Sequence, residues 1–269
     1  MNVLLFPTLL LAAALFWLGH RLAHRQSPWL IGAAILAALP AIVFAAFYTG
    51  VFGEARWLYV FRALPGTELS AAGIGLLMGW LQYQRASHPG LRRQVSAFFI
   101  PFLMVLCVAA PYLKQILLRP DWSKFQDRWD NQVCLQSSES SCGPAAAATL
   151  LRLYGKPATE LELAREAHTT RRGTENWYLS RALCRHGLPV NCVITALGAQ
   201  NVHVPAIAGV RLPQAANNGH FIALLAQNGD KFVVGDPLQG REELTRAELA
   251  ERYAFTGFYL VPARLQTKN

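Results

Sequence analysis

Cys142 stands at the head of an Ala- and Leu-rich run, Ser141-Cys142-Gly143-Pro144-Ala145 through Tyr154. A thiol is a strong nucleophile only as thiolate, and a helix N-terminus favours that charge through its unpaired N–H groups and its dipole. Pro144 suits a first helical turn and Gly155 a helix stop, so the thiol is expected at a helix start. Gly143 is expected to keep the approach open for a substrate carbonyl. His220 opens the apolar stretch Phe221-Ile222-Ala223-Leu224-Leu225, after a flexible Asn217-Asn218-Gly219, and offers an imidazole base at a strand end. Asp236 closes the next strand within Gly235-Asp236-Pro237. If residues 220 and 236 lie on adjacent strands of one hairpin, the carboxylate can fix the imidazole tautomer and stabilise the imidazolium. Acyl transfer also needs an oxyanion donor. Gln136, six residues before Cys142, can supply a side-chain amide beside the Cys142 backbone N–H. Singly, each residue has a plainer reading: a buried small hydrophobe for the Cys, a structural His at a strand edge, a common Asp-Pro turn. Their order and context together point to nucleophilic catalysis.

The elements that must position these groups can be read from the period of the apolar residues. Helices are expected over Ala145–Tyr154, over Thr159–His168 with early acidic residues, and over Thr174–Arg185 before Gly187. The period then shortens. Val190–Thr195, Ala206–Val210, His220–Ala226 and Lys231–Gly235 read as strands, with Asn228-Gly229-Asp230 as a hairpin turn between the last two. Thr245 and Glu248 form a capping box for a short helix, and Phe258–Val261 reads as a final strand. Helices followed by antiparallel strands make an α+β domain. It is expected over 131–266, behind a polar linker at 120–130.

The preceding 119 residues are different in kind. The 269-residue chain is 53% hydrophobic and only 15% charged. Four apolar stretches, at 3–19, 29–49, 67–83 and 95–114, are expected as an all-α four-helix transmembrane domain, since a bilayer core needs about 20 apolar residues in a helix. Trp17, Trp29, Tyr48, Trp57, Trp80, Tyr83 and Tyr112 lie near their ends, as an interfacial belt requires. Residues 57–64 are expected at the membrane interface, and Arg62 and Glu68, flanking Pro65-Gly66, in a surface turn. The first stretch has its basic residues after the apolar run, the reverse of a secretory signal, and reads as an anchor. Arg21 and Arg25, then Arg85, Arg92 and Arg93, place the first and third loops in the cytoplasm by the positive-inside rule. Four spans then return the C-terminal domain to the outer face.

The same distribution bears on partners. The formal charge is +9, but residues 1–120 carry nine Lys/Arg against two Asp/Glu, and the remainder sixteen against fourteen. The excess marks membrane topology instead of a basic stripe on a folded face, so no nucleic-acid partner is expected. A lipid bilayer and a peptide or precursor-protein substrate are. His20 and His24, one turn apart, read as an interfacial cluster, not a metal site. Without a Cys-x-x-Cys spacing no zinc site is expected either, nor a phosphate loop, and no cofactor. Cys107 reads as packing. Two of Cys134, Cys184 and Cys192 can pair if the domain lies outside the cytoplasm, with no choice among them.

The segment "QSSESSCGPAAAATLLRLY", Gln136 through Tyr154, resembles the active-site segment of the bacteriocin-processing cysteine peptidases. These are papain-like domains that cleave leader peptides after a double glycine and are often fused to ABC exporters. Val204-Pro205-Ala206-Ile207-Ala208, Gly219-His220-Phe221-Ile222-Ala223-Leu224 and Gly235-Asp236-Pro237 resemble the family's later segments, in order and with close spacing. The resemblance implies a papain-like α+β fold, catalytic Cys142, His220 and Asp236, and Gln136 as the oxyanion residue. Taken with the four spans and the loop charges, the expectation is a multi-pass protein of the bacterial inner membrane with the peptidase domain on the periplasmic or extracytoplasmic side, whereas the exporters keep theirs in the cytoplasm. This chain departs from the exporters at Ser141, where Asp is common, in placing its membrane helices first, and in lacking a phosphate loop. Two rivals stand beside hydrolysis: a transpeptidase or acyltransferase using the same thioacyl-enzyme, and a non-catalytic peptide-docking module, against which the intact Cys, His, Asp and Gln speak. A transporter or channel is disfavoured because no charged residue is convincingly buried in a span.

Overall fold

A computed structural model of the chain describes residues 4–49, 51, 56–86, 91–195, 198, 202–213 and 219–263. It forms two compact units, Met1–Ala55 with Leu64–Leu117, and Arg56–Ala63 with Leu118–Asn269.

The first unit is helical. Helices α1 (Leu5–Leu22) and α2 (Pro28–Tyr48) are followed, beyond a short helix α3 (Arg56–Ala63) that belongs to the second unit, by α4 (Ile74–Ala86) and α5 (Leu91–Leu117). Pro28 sits at the start of α2, where its missing N–H costs nothing. Leu5–Arg25, Pro28–Tyr48 and Ala97–Leu117 are long and apolar enough to cross a membrane. Their outward faces carry Leu10, Trp29, Leu36 and Phe98, all well exposed. Apolar surface on that scale suits lipid, not water, and the three helices suggest membrane association.

The expected third span is not one helix. Thr67–Gly73 winds as a 3-10 segment that passes into the 13-residue α4. The two together still rise about 33 Å, because a 3-10 residue advances ~2.0 Å and an α residue ~1.5 Å. Glycines of the 3-10 segment and of α4 are pressed against neighbouring backbones. A Cβ on Gly73 would fall 1.9 Å from the Ala37 carbonyl oxygen of α2, and one on Gly79 1.9 Å from that of Phe16 in α1. Gly75 meets the Ala12 carbonyl in the same way. Small residues at i and i+4 let helices approach this closely in lipid. Gly79→Val is therefore expected to destabilise the helical unit by about 3 kcal/mol or more, as overpacking does where the neighbour is backbone. Unfolding of the detergent-solubilised protein would report it.

The second unit is the α+β domain. Helices α6 (Cys142–Leu153), α7 (Glu160–Glu166) and α8 (Asn176–Arg185) precede a six-stranded sheet. Two short strands, β1 (Arg128–Asp130) and β2 (Val133–Leu135), pair with each other before α6. The sheet is entirely antiparallel in the order β3-β8-β4-β5-β6-β7, with β3 Val190–Ile194, β4 Ala206–Arg211, β5 Gly219–Asn228, β6 Lys231–Asp236, β7 Gly240–Thr245 and β8 Ala254–Pro262. Helix α9 (Arg246–Arg252) links the last two strands. Both expected helix-start devices are present: Thr159 with Glu162 on α7, and Thr245 with Glu248 on α9, each a reciprocal capping box. The sheet core gathers Ala206, Val210, Ile222, Leu224, Phe232, Val234, Phe255 and Tyr259.

Several expectations need correction. The segment 120–130 is folded, since β1 pairs with β2 and Asp127 Oδ1 accepts the Glu160 N–H at 2.9 Å. Within the 57–64 stretch expected at the interface, Arg56–Ala63 is a helix of the α+β unit, burying Leu58, Tyr59 and Arg62. Arg62 and Glu68 are 1% and 0% exposed, so neither lies in a surface turn. All five cysteines, Cys107, Cys134, Cys142, Cys184 and Cys192, are free thiols. Asn217-Asn218 and residues 264–266 lie outside the described residues.

Candidate active site

Cys142 is the first residue of α6 and is 6% exposed. Its helix start is left open by the local chemistry. Ser141, which could have capped it, makes no side-chain cap. Its hydroxyl instead accepts the Ser138 N–H at 2.9 Å and donates to the Ser138 carbonyl at 3.0 Å, closing the 138–141 turn. Pro144 has no N–H to satisfy, and the first-turn donors of Cys142 and Gly143 have no intrahelical acceptor. The turn itself is anchored one residue earlier. Ser137 gives its N–H to Glu160 Oε1 at 2.8 Å and its hydroxyl to Glu160 Oε2 at 2.5 Å. Glu160 is fully buried, and these donors satisfy a carboxylate that would otherwise be costly there. Sequence reasoning missed Glu160, which reads as an ordinary early acidic residue of α7.

Gly143 serves packing, contrary to expectation. A Cβ there would lie 3.3 Å from Phe221 Cδ2, 3.3 Å from Thr174 Cβ and 3.5 Å from Leu179 Cδ2. The missing side chain faces the interior and does not open a path for substrate.

His220 and Asp236 are carried on the paired strands β5 and β6. The ring Nε2 of His220 lies 2.8 Å from Asp236 Oδ1. Cys142 is among the groups that raise the His220 pKa, and with Nε2 given to Asp236 the ring has Nδ1 left to meet the sulfur. Burial opposes charge on His220, but the interactions with Asp236 and Cys142 outweigh it, and its pKa is pushed up to about 9. Asp236 is 1% exposed. Burial alone would raise its pKa, yet the hydrogen bond and charge of His220, with further donors, hold it below the usual carboxylate range. Those donors are the Leu238 N–H to Oδ1 at 2.8 Å and the Tyr253 hydroxyl to Oδ2 at 2.6 Å.

Tyr253, between α9 and β8, is the second residue that sequence reasoning passed over. Nothing local marks it: it lies 17 residues from Asp236 and is brought there only by the return of β8 into the sheet. Burial and the adjacent carboxylate push its hydroxyl well above the usual phenol range, so it is a donor at every working pH. Tyr253→Phe is expected to cost about 1–3 kcal/mol of stability, the range for a lost hydrogen bond to a buried charged group. Thermal denaturation against wild type measures it.

Gln136 sits at the same place. Its backbone N–H donates to the Pro237 carbonyl at 2.9 Å, tying it to the residue after Asp236. Its Nε2 donates to the Ser138 carbonyl at 2.9 Å, and its buried Oε1 has no hydrogen-bond partner. One amide N–H is thus committed to the 138–141 turn and one remains. The structure brings all four residues singled out from sequence to one locality. A cavity of about 730 Å³ is lined by Asp236, Leu238, Glu242, Glu251 and Tyr253 among others. Its lining includes neither Cys142 nor His220.

A family profile described as the Peptidase C39 family matches residues 130–266. The chain belongs to the peptidase C39 family. The C39 match spans the sheet, α6 and every residue of the cluster above, and it leaves α1 to α5 outside. Among curated proteins, an uncharacterised protein of Methanothermobacter marburgensis is 33% identical over 135 residues, covering 50% of this chain and 90% of that protein. Another uncharacterised protein, from Methanothermobacter thermautotrophicus, is 32% identical over 136 residues with the same coverage. Similar solved structures include the peptidase domain of Streptococcus ComA, a bifunctional ABC transporter involved in a quorum-sensing pathway. It is 18% identical, covers 48% of this chain and 96% of its own, and has a TM-score of 0.40. A double glycine motif protease from an AMS/PCAT transporter, solved with a leader peptide, is 20% identical, covers 52% of this chain and 96% of its own, and has a TM-score of 0.41. The C39 domain is the papain-like α+β domain that the motif resemblance implied, and its family is one of cysteine peptidases.

Proposed function

We propose that the protein is a membrane-anchored cysteine peptidase that cleaves a peptide or precursor protein, a leader-bearing one foremost, near the bilayer surface. The observation that carries this reading is the buried, carboxylate-held imidazole: His220 meets Asp236 through Nε2 at 2.8 Å, and Cys142 is among the groups that raise its pKa. With a pKa of about 9 the ring is protonated at neutral pH, the state a thiolate–imidazolium pair requires.

In this mechanism the Cys142 thiolate adds to the scissile carbonyl. The developing oxyanion is held by the Cys142 backbone N–H at the open start of α6 and by the remaining Gln136 amide N–H. His220 Nδ1–H protonates the leaving amine as the C–N bond breaks, which leaves a thioacyl-enzyme and a neutral ring. That ring then accepts a proton from water, and the hydroxide so formed adds to the thioester and releases Cys142. Asp236 holds the ring in place and offsets its charge throughout, and Tyr253 holds Asp236.

The extracytoplasmic placement draws support from α3. Because α3 is folded into the α+β unit, residues 56–63 and 118 onward share one side of the bilayer. If α5 crosses, the 67–86 segment must cross too, and the Arg85, Arg92 and Arg93 loop lies on the opposite face. That loop is the basic one, which the positive-inside rule assigns to the cytoplasm.

Two assays test the reading. The purified full-length protein is incubated with peptides that carry or lack a double-glycine site, with and without an added amine. Cleavage that needs Cys142 and yields free carboxyl termini is expected, whereas amide products would indicate transfer. An alkaline phosphatase fusion at the C-terminus is expected to be active, and a fluorescent cytoplasmic reporter there would overturn the orientation.

A further inference from the structure

Helix α3 lies outside the family-matched segment 130–266, yet it is seated in the peptidase unit by specific contacts. Tyr59, 5% exposed, stacks on Trp177 of α8 with ring centroids 6.0 Å apart and meets Phe258 of β8 edge-on at 5.7 Å. Arg62 Nη2 donates to the Tyr178 hydroxyl at 3.1 Å, and its guanidinium lies 5.2 Å from the Trp177 ring centre. The C-terminal carbonyls of α3 are met by a cation: Arg181 donates from Nη2 to the Arg62 carbonyl at 2.5 Å and from Nε to the Ala63 carbonyl at 3.3 Å. A guanidinium at that position both satisfies orphan acceptors and opposes the helix dipole. The buried face, Leu58, Tyr59 and Arg62, is thus matched by groups of α8 and β8, while Trp57 and Val60 remain exposed.

The aromatic contacts continue to the reacting groups. Phe258 meets Phe221 edge-on at 6.3 Å. Phe221 follows His220 directly, and its ring stands 3.3 Å from where a Cβ of Gly143 would be, one residue from the nucleophile. Tyr59, Phe258 and Phe221 therefore form a packed series from α3 to the junction of the strand bearing His220 with the helix bearing Cys142. Close-packed interiors transmit displacement because they contain little free volume.

We propose that α3 is a positioning element of this peptidase, contributed by the membrane half of the chain, and that Tyr59 is its positioning residue. It holds β8 and Phe221 so that the His220 ring keeps its register against Cys142. The proposal rests on the cysteine-peptidase reading above. Its consequence is that the C39 segment alone lacks a part of its own active-site support, which the chain supplies from between its second and third apolar segments.

The test uses the full-length protein in detergent and iodoacetamide as the probe, with alkylation of Cys142 followed by mass spectrometry at pH 6 and pH 10. At pH 6 only a thiol held as thiolate by its imidazole reacts quickly. At pH 10 an ordinary thiol is ionised as well. Tyr59→Leu keeps the apolar volume and removes the ring, and is expected to lower the pH 6 rate about fivefold or more relative to the pH 10 rate. Tyr59→Phe, which keeps both ring contacts, is expected to restore the wild-type ratio. Trp57→Ala, on the exposed face of the same helix, is expected to leave it unchanged. A wild-type ratio in folded Tyr59→Leu overturns the proposal, and so does an equal loss in Trp57→Ala. If Tyr59→Leu does not fold, Tyr59→His decides, since it keeps an aromatic ring but misplaces its contacts: a wild-type ratio there also overturns the proposal. If wild type itself shows no fast alkylation at pH 6, the cysteine-peptidase reading fails first, and that outcome is separate from any effect of Tyr59.

Discussion

Cys142→Ala and His220→Ala are each expected to reduce peptide-bond cleavage by about 10⁴-fold or more, and the double variant is expected to be no worse than either single one. The non-additivity follows from the roles assigned. Without the thiol there is no acyl-enzyme for the imidazole to serve. Without the imidazole the thiolate loses its counter-charge and the leaving amine its proton. Residual rate in either variant would come from the oxyanion donors and substrate binding alone. Both side chains are almost fully buried, but neither substitution removes a large apolar contact. Folding, followed by circular dichroism, is expected to survive. Independent, multiplicative losses measured by kcat/KM would show that the two groups do not act as one unit.

Asp236→Asn is expected to have the second-largest effect, a fall in kcat of up to about 10⁴-fold, the loss seen when the carboxylate of a triad becomes an amide and the ring tautomer is no longer fixed. It should also move the pH profile in a defined direction. In wild type, His220 carries its proton up to a pKa of about 9, so kcat/KM is expected to decline on the alkaline side as pH passes that value. Burial lowers the His220 pKa, and the hydrogen bond and charge of Asp236 help to raise it. Removing that carboxylate while burial stays moves the alkaline limb to lower pH. Stability shifts in the same sense. A folded-state pKa above that of the unfolded chain contributes stability below about pH 6.5 in full, and that stability is lost as pH rises through about 9. Asp236→Asn should flatten that dependence and leave Tyr253 and the Leu238 N–H facing an amide in place of a carboxylate. An alkaline limb that stays at its wild-type position would contradict the assignment of Asp236 as the partner of His220.

How much of this was legible in the sequence differed between the site and its support. Cys142 was readable because a helix start is written locally, in the Gly-Pro that follows and the Ala-rich run beyond. His220 and Asp236 were readable because a hairpin turn within Asn228-Gly229-Asp230, closed as the two residues Gly229-Asp230, fixes strands that pair side by side, whatever the rest of the fold does. Gly143 was misread for a physical reason: a glycine that admits a ligand and one that admits a neighbouring ring look alike until the direction of its missing Cβ is known. Glu160 and Tyr253 carry no local signal, since each reaches the site through long-range packing. The same holds for α3. Arg56–Ala63 is amphipathic and aromatic, which in a chain of apolar stretches reads equally as an interfacial segment. Its partners Trp177, Tyr178 and Phe258 lie more than a hundred residues away, and only the folded structure joins them. The third apolar stretch was found but its close glycine approaches were not, because they depend on which backbone stands opposite.

The most direct measurement is a comparison of two thiols within one molecule. Cys184 is exposed and Cys142 is buried, so accessibility alone makes Cys184 the faster to alkylate. At pH 6, with iodoacetamide and the full-length protein, Cys142 is expected to react at least about tenfold faster than Cys184, because an imidazolium-paired thiol is ionised where an ordinary one is not. In His220→Ala the order is expected to reverse. If Cys142 reacts more slowly than Cys184 in the wild-type protein, or keeps its advantage without His220, there is no working thiolate–imidazolium pair in this domain.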